Sequence, residues 1–321
     1  MNRVFAFAIS ALSIGMIGFA FFTSEPPKIR KKGKKIPGNP GYFEQFYQMK
    51  KNKEGKIPFG VLAGIWKQEQ YARQQATAGF LQQISEIGPS NVGGRTRSIL
   101  QDLANPNRFL AAGVSGGIWE SLDQGNSWAP VNDFQMTLSI TSITQNPFQH
   151  QYIYYGTGES RGNSAGIPGA GVFRSIDGGQ TFSQLPATDL EEFDYIWSVQ
   201  HSLTDTHTLF VATRYNGLYR STDDGNSFQQ VLNVNDKAVN DILVFPDGKV
   251  MATINEEGVY VSATGAPGSF TELNAPGLYP SAFRRIEGEY CLSQPDVIYL
   301  QYEDSLENTY SSDLKGILKS E

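Results

Sequence analysis

Ser121-Leu-Asp123-Gln-Gly125-Asn-Ser-Trp128 is written again as Ser175-Ile-Asp177-Gly-Gly179-Gln-Thr-Phe182, and a third time as Ser221-Thr-Asp223-Asp-Gly225-Asn-Ser-Phe228. The shared pattern is S-x-D-x-G-x-[ST]-[WF]. An Asp two residues before a Gly, between β-rich runs, is turn chemistry. The carboxylate accepts N–H groups of the turn, and Gly supplies the positive φ that other residues avoid. The aromatic then opens the next strand. The three Asp residues lie 54 and 46 residues apart, a spacing at which internal repetition means a solenoid, a propeller or an array.

The residues upstream of each turn repeat as well. Phe109-Leu-Ala-Ala-Gly113, Tyr152-Ile-Tyr-Tyr-Gly156 and Leu209-Phe-Val-Ala-Thr213 precede Gly117-Ile-Trp-Glu-Ser121, Gly171-Val-Phe-Arg-Ser175 and Gly217-Leu-Tyr-Arg-Ser221. With a further run at 139–145, each unit predicts a meander of four short strands, which at this period is a propeller blade. A fourth copy keeps its strands at 249–253 and 258–262 and its aromatic Phe270, but Thr264 replaces the Asp before Gly265. A fifth is read from Val297, and Gly316-Ile-Leu-Lys-Ser320 matches the residues just before a turn whose Asp, Gly and aromatic do not follow. The expectation is an all-β β-propeller of about four blades plus a partial fifth, the N-terminal part of a longer propeller.

At these residues the chain resembles the Asp-box, or BNR, repeat. That repeat is found in sortilin-type receptors, xyloglucan-active glycoside hydrolases, sialidases and photosystem-II assembly factors. The stretch Ile87-Gly-Pro-Ser-Asn-Val-Gly-Gly-Arg95, with Gly156-Thr-Gly-Glu159, is most similar to large secreted bacterial proteins of the sortilin type. The resemblance covers residues 85–321. It implies a fold, and implies little about function, because the box is a structural turn found beside unrelated sites. In the xyloglucan-active relatives a catalytic Asp stands before a Gly-Gly in the first loop between strands 2 and 3. Here Val114 and Ser115 occupy that place. The sialidase Phe-Arg-Ile-Pro motif is absent, since Phe283-Arg-Arg-Ile-Glu287 lacks the Pro.

Outside the repeats, Met1-Asn-Arg3 precedes an apolar run from Val4 to Phe22, expected to be a signal peptide, with an uncleaved membrane anchor as the alternative. The protein is therefore expected to be extracytoplasmic, secreted or at the cell surface. Residues 23–40 read as a basic Pro/Gly/Lys linker and residues 41–84 as a short helical appendage. Residues 28–56 carry a net charge of +8, which leaves −14 for residues 57–321 out of a total of −6. An acidic propeller does not suit nucleic acid, whereas the basic stretch or the apolar run offers a possible membrane contact. The single Cys rules out an internal disulfide framework, and Cys291 reads as a small core residue.

In a four-stranded meander the turns between strands 1 and 2 and between strands 3 and 4 share one end, and the 2–3 loops and blade connectors share the other. The sequence thus places any ligand site opposite the Asp turns. Its candidates are Glu159, Arg161 and Asn163 in the second blade, Arg214, Tyr215 and Asn216 in the third, and Glu256 and Glu257 in the fourth, with the connector 189–197 alongside. A Glu159–Arg161 ion pair that merely orders a long loop is the competing reading. No catalytic residue, cofactor or metal is expected. His150, His201 and His207 are dispersed, and Asp123, Asp177 and Asp223 are a blade apart from one another. The expected function is binding or scaffolding of a glycan or a protein. A glycoside hydrolase and an extracytoplasmic assembly factor are the alternatives.

Overall fold

The computed structural model describes residues 64, 66–68, 70–71, 94–159, 166–305 and 314–320. The signal or anchor segment, the basic linker, most of the appendage, and Arg161 and Asn163 lie outside them. Among the described residues no helix is long and apolar enough to cross a membrane. Residues 64–71 are helical where described, and the Trp66 indole N–H donates to the Phe134 carbonyl at 2.9 Å.

Five antiparallel sheets follow one another along the chain. The first holds β1 (Thr96–Gln101), β2 (Phe109–Gly113), β3 (Ile118–Ser121) and β4 (Ala129–Pro130). Next come β5 (Ile140–Gln145), β6 (Ile153–Thr157), β7 (Val172–Ser175) and β8 (Ser183–Gln184), then β9 (Ile196–His201), β10 (Leu209–Thr213), β11 (Leu218–Ser221) and β12 (Gln229–Leu232). The fourth is β13 (Val239–Val244), β14 (Val250–Ile254), β15 (Gly258–Ser262) and β16 (Thr271–Glu272), and the fifth is β17 (Phe283–Cys291), β18 (Gln294–Asp304) and β19 (Leu314–Lys319). Strands pair in sequence order, so every blade is a meander. This is a five-bladed all-β propeller with almost no helix. The fifth blade begins at Phe283, earlier than the sequence reading placed it, and Cys291 at its first hairpin is exposed rather than a core residue.

The blades are stacked by the two-residue period of a strand. Adjacent residues point to opposite interfaces: Tyr155 packs with Leu110, Ala112 and Ile118 of blade 1, while Tyr154 packs with Val199, Leu209 and Val211 of blade 3. The same alternation builds the 3/4 core around Phe210, Ala212 and Ala252, and the 4/5 core around Leu243, Met251 and Leu300. The first strands stand side by side, β1 on β5, β5 on β9, β9 on β13 and β13 on β17.

The three Asp turns are nearly superimposable in their bonding. Asp123 accepts the Ser127 N–H at 2.8 Å and the Ser127 hydroxyl at 2.6 Å, and Ser121 Oγ, itself donating to Asp123, accepts the Gly125 N–H. Asp177 and Asp223 do the same with Thr181 and Ser227. Gln124, Gly178 and Asp224 hold φ of 60–74°, and Gly125, Gly179 and Gly225 hold 86–89°. Each Asp is thus spent on its own turn. In the fourth copy Ser262 keeps the role of Ser121, accepting the N–H groups of Thr264 and Gly265, and the Ser269 hydroxyl, 2.5 Å from Ser262 Oγ, takes the place of the missing carboxylate as the partner of that serine.

Candidate functional site

The turns that carry Asp123, Asp177 and Asp223 sit beside the 1–2 turns: the Gln124, Gly178 and Asp224 amides donate to the carbonyls of Asn107, Gln151 and His207. The 2–3 loops therefore gather at the opposite end, as the meander requires. There the amides of Val114, Gly158, Arg214 and Asn255 donate to the carbonyls of Arg95, Ser139, Tyr195 and Ala238, which ties each loop to the segment that leads into its own blade.

Within blade 2, Glu159 is 2% exposed and bridges Ile167 through both backbone groups. Its carboxylate receives Arg95 Nη2 at 3.0 Å and Arg97 Nη2 at 3.0 and 3.2 Å. These guanidiniums come from blade 1, so the pairing clamps the second-blade loop to its neighbour. A buried carboxylate needs such partners, because desolvating it alone is costly. Arg95 was visible in the sequence at the end of the Gly-rich stretch, but a carboxylate partner 64 residues away was not. Glu159 is thereby occupied, and the side chain that faces solvent in this trio is Arg95, at 55%.

The third-blade candidates do meet. The Arg214 guanidinium lies 4.7 Å over the Tyr215 ring, and Tyr195 of the connector meets that ring edge-on at 6.4 Å. Asn216 is fixed by its amide on Thr213 Oγ1 and its side chain on the Glu192 carbonyl. Tyr215 remains 44% exposed, so this group presents an aromatic face with a cation stacked on it. Behind it, Asp194 has its carboxyl pushed up to about 7 by burial, and then by the like charges of Glu191, Asp189 and Glu192. Its carbonyl accepts the Gly169 N–H at 2.6 Å, and a Cβ on Gly158 would fall 2.2 Å from the same oxygen. Connector and second-blade loop are therefore packed backbone to backbone. Glu256 and Glu257 stand elsewhere: Glu256, at φ 60°, donates its amide to the Arg284 carbonyl, and Glu257 lies 3.7 Å from Lys237 Nζ.

A concavity of about 500 Å³ lies on blade 1. It is lined by Arg95, Thr96, Ile99, Ala111, Trp119 and Trp128, among others.

Repeated four-stranded blades around common first strands define the class of protein, a β-propeller. No family profile and no curated protein matches the chain. Solved structures do. Over 71% of its length the chain is similar to an ancestral GH74 enzyme (TM-score 0.53, 17% identity, 33% of that protein covered). It is similar to the GH74 xyloglucanase of Xanthomonas campestris over 71% of its length (TM-score 0.51, 20% identity, 36% covered). It is also similar to the extracellular domain of a protein described as a one-component system of B. thetaiotaomicron, over 73% of its length (TM-score 0.50, 15% identity, 28% covered). The chain spans about a third of the length of these proteins. At such identities the likeness is one of fold.

Proposed function

We propose that this chain is an Asp-box propeller that works outside the cytoplasm as a binding or scaffold module, with its ligand site at the loop end of blades 2 and 3. The ligand class is glycan or protein. The observation that carries the reading is the Arg214–Tyr215–Tyr195 stack, half exposed and backed by the acidic connector. A tyrosine face with a guanidinium on it and carboxylates beside it suits the apolar face of a sugar or a peptide side chain, with polar groups to fix orientation. Rigid blades hold these loops, which is how propellers display binding residues.

One observation favours a glycosidase as the second reading: Asp194, held protonated to about 7, has the ionisation of a general acid. A glycosidase also needs a second carboxylate about 5–10 Å away. The carboxylate candidate of the second-blade loop, Glu159, is buried under two arginines, and the carboxylates that act on Asp194 are those of its own connector, Glu191, Asp189 and Glu192. The binding reading is therefore preferred.

The experiment is a glycan and surface-protein array probed with the full chain, repeated with Arg214→Ala/Tyr215→Ala and with Asp194→Asn. Binding that falls at least tenfold in the double variant, with unchanged melting, supports the site. Full binding in the double variant overturns it. Release of reducing sugar from a bound glycan, lost in Asp194→Asn, would move the assignment to the hydrolase.

A further inference from the structure

The repeat separates what a loop needs in order to fold from what has been added to it. Blades 1, 3 and 4 join their second and third strands through loops of the same length, Val114-Ser-Gly116, Arg214-Tyr-Asn216 and Asn255-Glu-Glu257. Their backbones are held alike. Gly113 and Thr213 donate their amides to the carbonyls of Gly117 and Gly217 at 2.8 and 3.0 Å, and Val114, Arg214 and Asn255 donate theirs to the segment that enters their own blade. In blade 1 the first loop residue is a buried valine, so the turn itself does not call for a charge.

In blade 3 the same position carries Arg214, and its charge is unspent. Arg95, Arg97, Arg108 and Arg285 are each paired with a carboxylate, and Arg174 donates to the Asp224 carbonyl. Arg214 is partly buried and lies over the Tyr215 ring, yet among the described residues its guanidinium N–H groups have no acceptor. The loop beneath it is fixed: Thr213 Oγ1 donates to the Gly217 carbonyl and accepts the Asn216 amide, and Gln230 Nε2 donates to the Asn216 carbonyl at 2.7 Å. A guanidinium stacked in place and left without an anion is preorganised for one.

The surroundings have the opposite sign. Glu191 and Glu192 are exposed, and among the described residues neither carboxylate is paired with a cation. The Glu192 carbonyl holds Asn216 Nδ2 at 3.3 Å, which sets this end of the connector against the loop and leaves Asn216 Oδ1 as an acceptor. The site therefore offers one cation, an aromatic surface and several acceptors. Its complement carries one carboxylate, an apolar ring face and several O–H donors, and a sugar acid has all three. A sulfated glycan or a run of glutamates also matches the cation, but brings its other charges against Glu191 and Glu192.

We propose, resting on the ligand site assigned above, that the third-blade loop recognises a carboxylated sugar, a hexuronate unit of a glycan. The carboxylate sits on the Arg214 guanidinium, the ring lies against Tyr215, and the hydroxyls are taken by Asn216 and the connector carboxylates. Planar, two-pronged pairing is what a guanidinium provides and an ammonium does not.

Calorimetric titration of the full chain with trigalacturonate, its methyl ester and hexaglutamate tests this, because esterification removes the charge and keeps the ring. Trigalacturonate is expected to bind about tenfold more tightly than the ester, as one charge-assisted pair would give, and the gap should narrow in high salt. Arg214→Gln should close the gap by weakening the acid alone, whereas Tyr215→Ala should weaken acid and ester alike. Should Arg214→Gln fail to melt cooperatively, Arg214→Lys keeps the charge without the planar fork and should lose part of the preference. Equal binding of acid and ester, both lowered by Tyr215→Ala, would keep the ligand site and overturn the carboxylate. Acid binding that neither variant changes would overturn the site and this proposal together. Hexaglutamate binding more tightly than trigalacturonate, or no binding of trigalacturonate at millimolar concentration, overturns the proposal as well.

Discussion

At the scale of single residues, two aspartates show opposite responses to their surroundings. Asp177 is held at about 2: partial burial works against this, and the hydroxyl and amide of Thr181, the Ser175 hydroxyl and the Gln180 amide outweigh it. Its unfolded pKa is the higher one, so its contribution is present above about pH 4 and is lost as pH falls towards 2. Asp177→Ala leaves those amides without their acceptor. The turn is exposed and water can replace the carboxylate, so the loss should be about 1 kcal/mol, the low end for unpaired donors, seen as a lower melting temperature at pH 7 and no difference near pH 2. Asp194 has the reverse sign. Its folded pKa is the higher one, so between about 4 and 7 the native state holds a proton that the unfolded chain releases, and stability declines as pH rises through that window. Asp194→Asn is therefore expected to match wild type at pH 4 and to melt higher at pH 8. A variant that melts lower than wild type at pH 8 would show that the carboxylate is held in place by interactions worth more than its burial costs.

At the scale of elements, the meander was legible because three signals coincide in each blade: alternating apolar strands, a turn with an obligatory Gly, and an aromatic after it. Where those signals weaken, so does the reading. Strand β17 was missed because its two buried residues, Phe283 and Ile286, stand three apart across a register shift, which breaks the two-residue period that marks a strand. Ser98, Ser142 and Asp241 latch each blade to the next by accepting the amides of Ile143, Val199 and Gly288. They were missed because a lone small polar residue in a strand has no local signature; only their common register reveals them. The candidate site was half legible. Arg214, Tyr215 and Asn216 are local neighbours in one turn, whereas the partners of Glu159 come from another blade. The loop glycines offer a graded test. Gly178, at φ 74°, has open space where a Cβ would go, so Gly178→Ala should cost only the left-handed strain of about 1–2 kcal/mol. Gly217, at φ 78°, would place a Cβ 2.1 Å from the Leu232 carbonyl oxygen, inside contact distance. Gly217→Ala must move β12 as well, and chemical denaturation should show the larger loss there. Equal losses would mean that the β11–β12 pairing yields without cost.

At the scale of the whole molecule, each blade contacts its neighbours through first strands and shared cores, so stability is close to a sum over blades and the four interfaces between them. Such an array is only as cooperative as its weakest junction. At the blade 2/3 junction, Ser142 Oγ accepts the Val199 N–H at 3.0 Å and donates to the Val199 carbonyl at 3.3 Å, and all three groups are buried. The blade 1/2 latch, Ser98 to Ile143, is a single contact at 3.4 Å on a half-exposed strand. Removing a hydroxyl that satisfies two buried backbone groups should cost about 1–3 kcal/mol, against about 0.5–1 kcal/mol for a long and partly solvated bond. Ser142→Ala is therefore expected to be the more damaging change, and its effect should be collective. With the central junction weakened, blades 1–2 and 3–5 can open separately, so hydrogen exchange should show β1–β8 and β9–β19 with different opening free energies. In Ser98→Ala the faster exchange should be confined to β1–β4. If both variants exchange uniformly along all five blades, the propeller unfolds as one unit and the junctions are not the places where it parts.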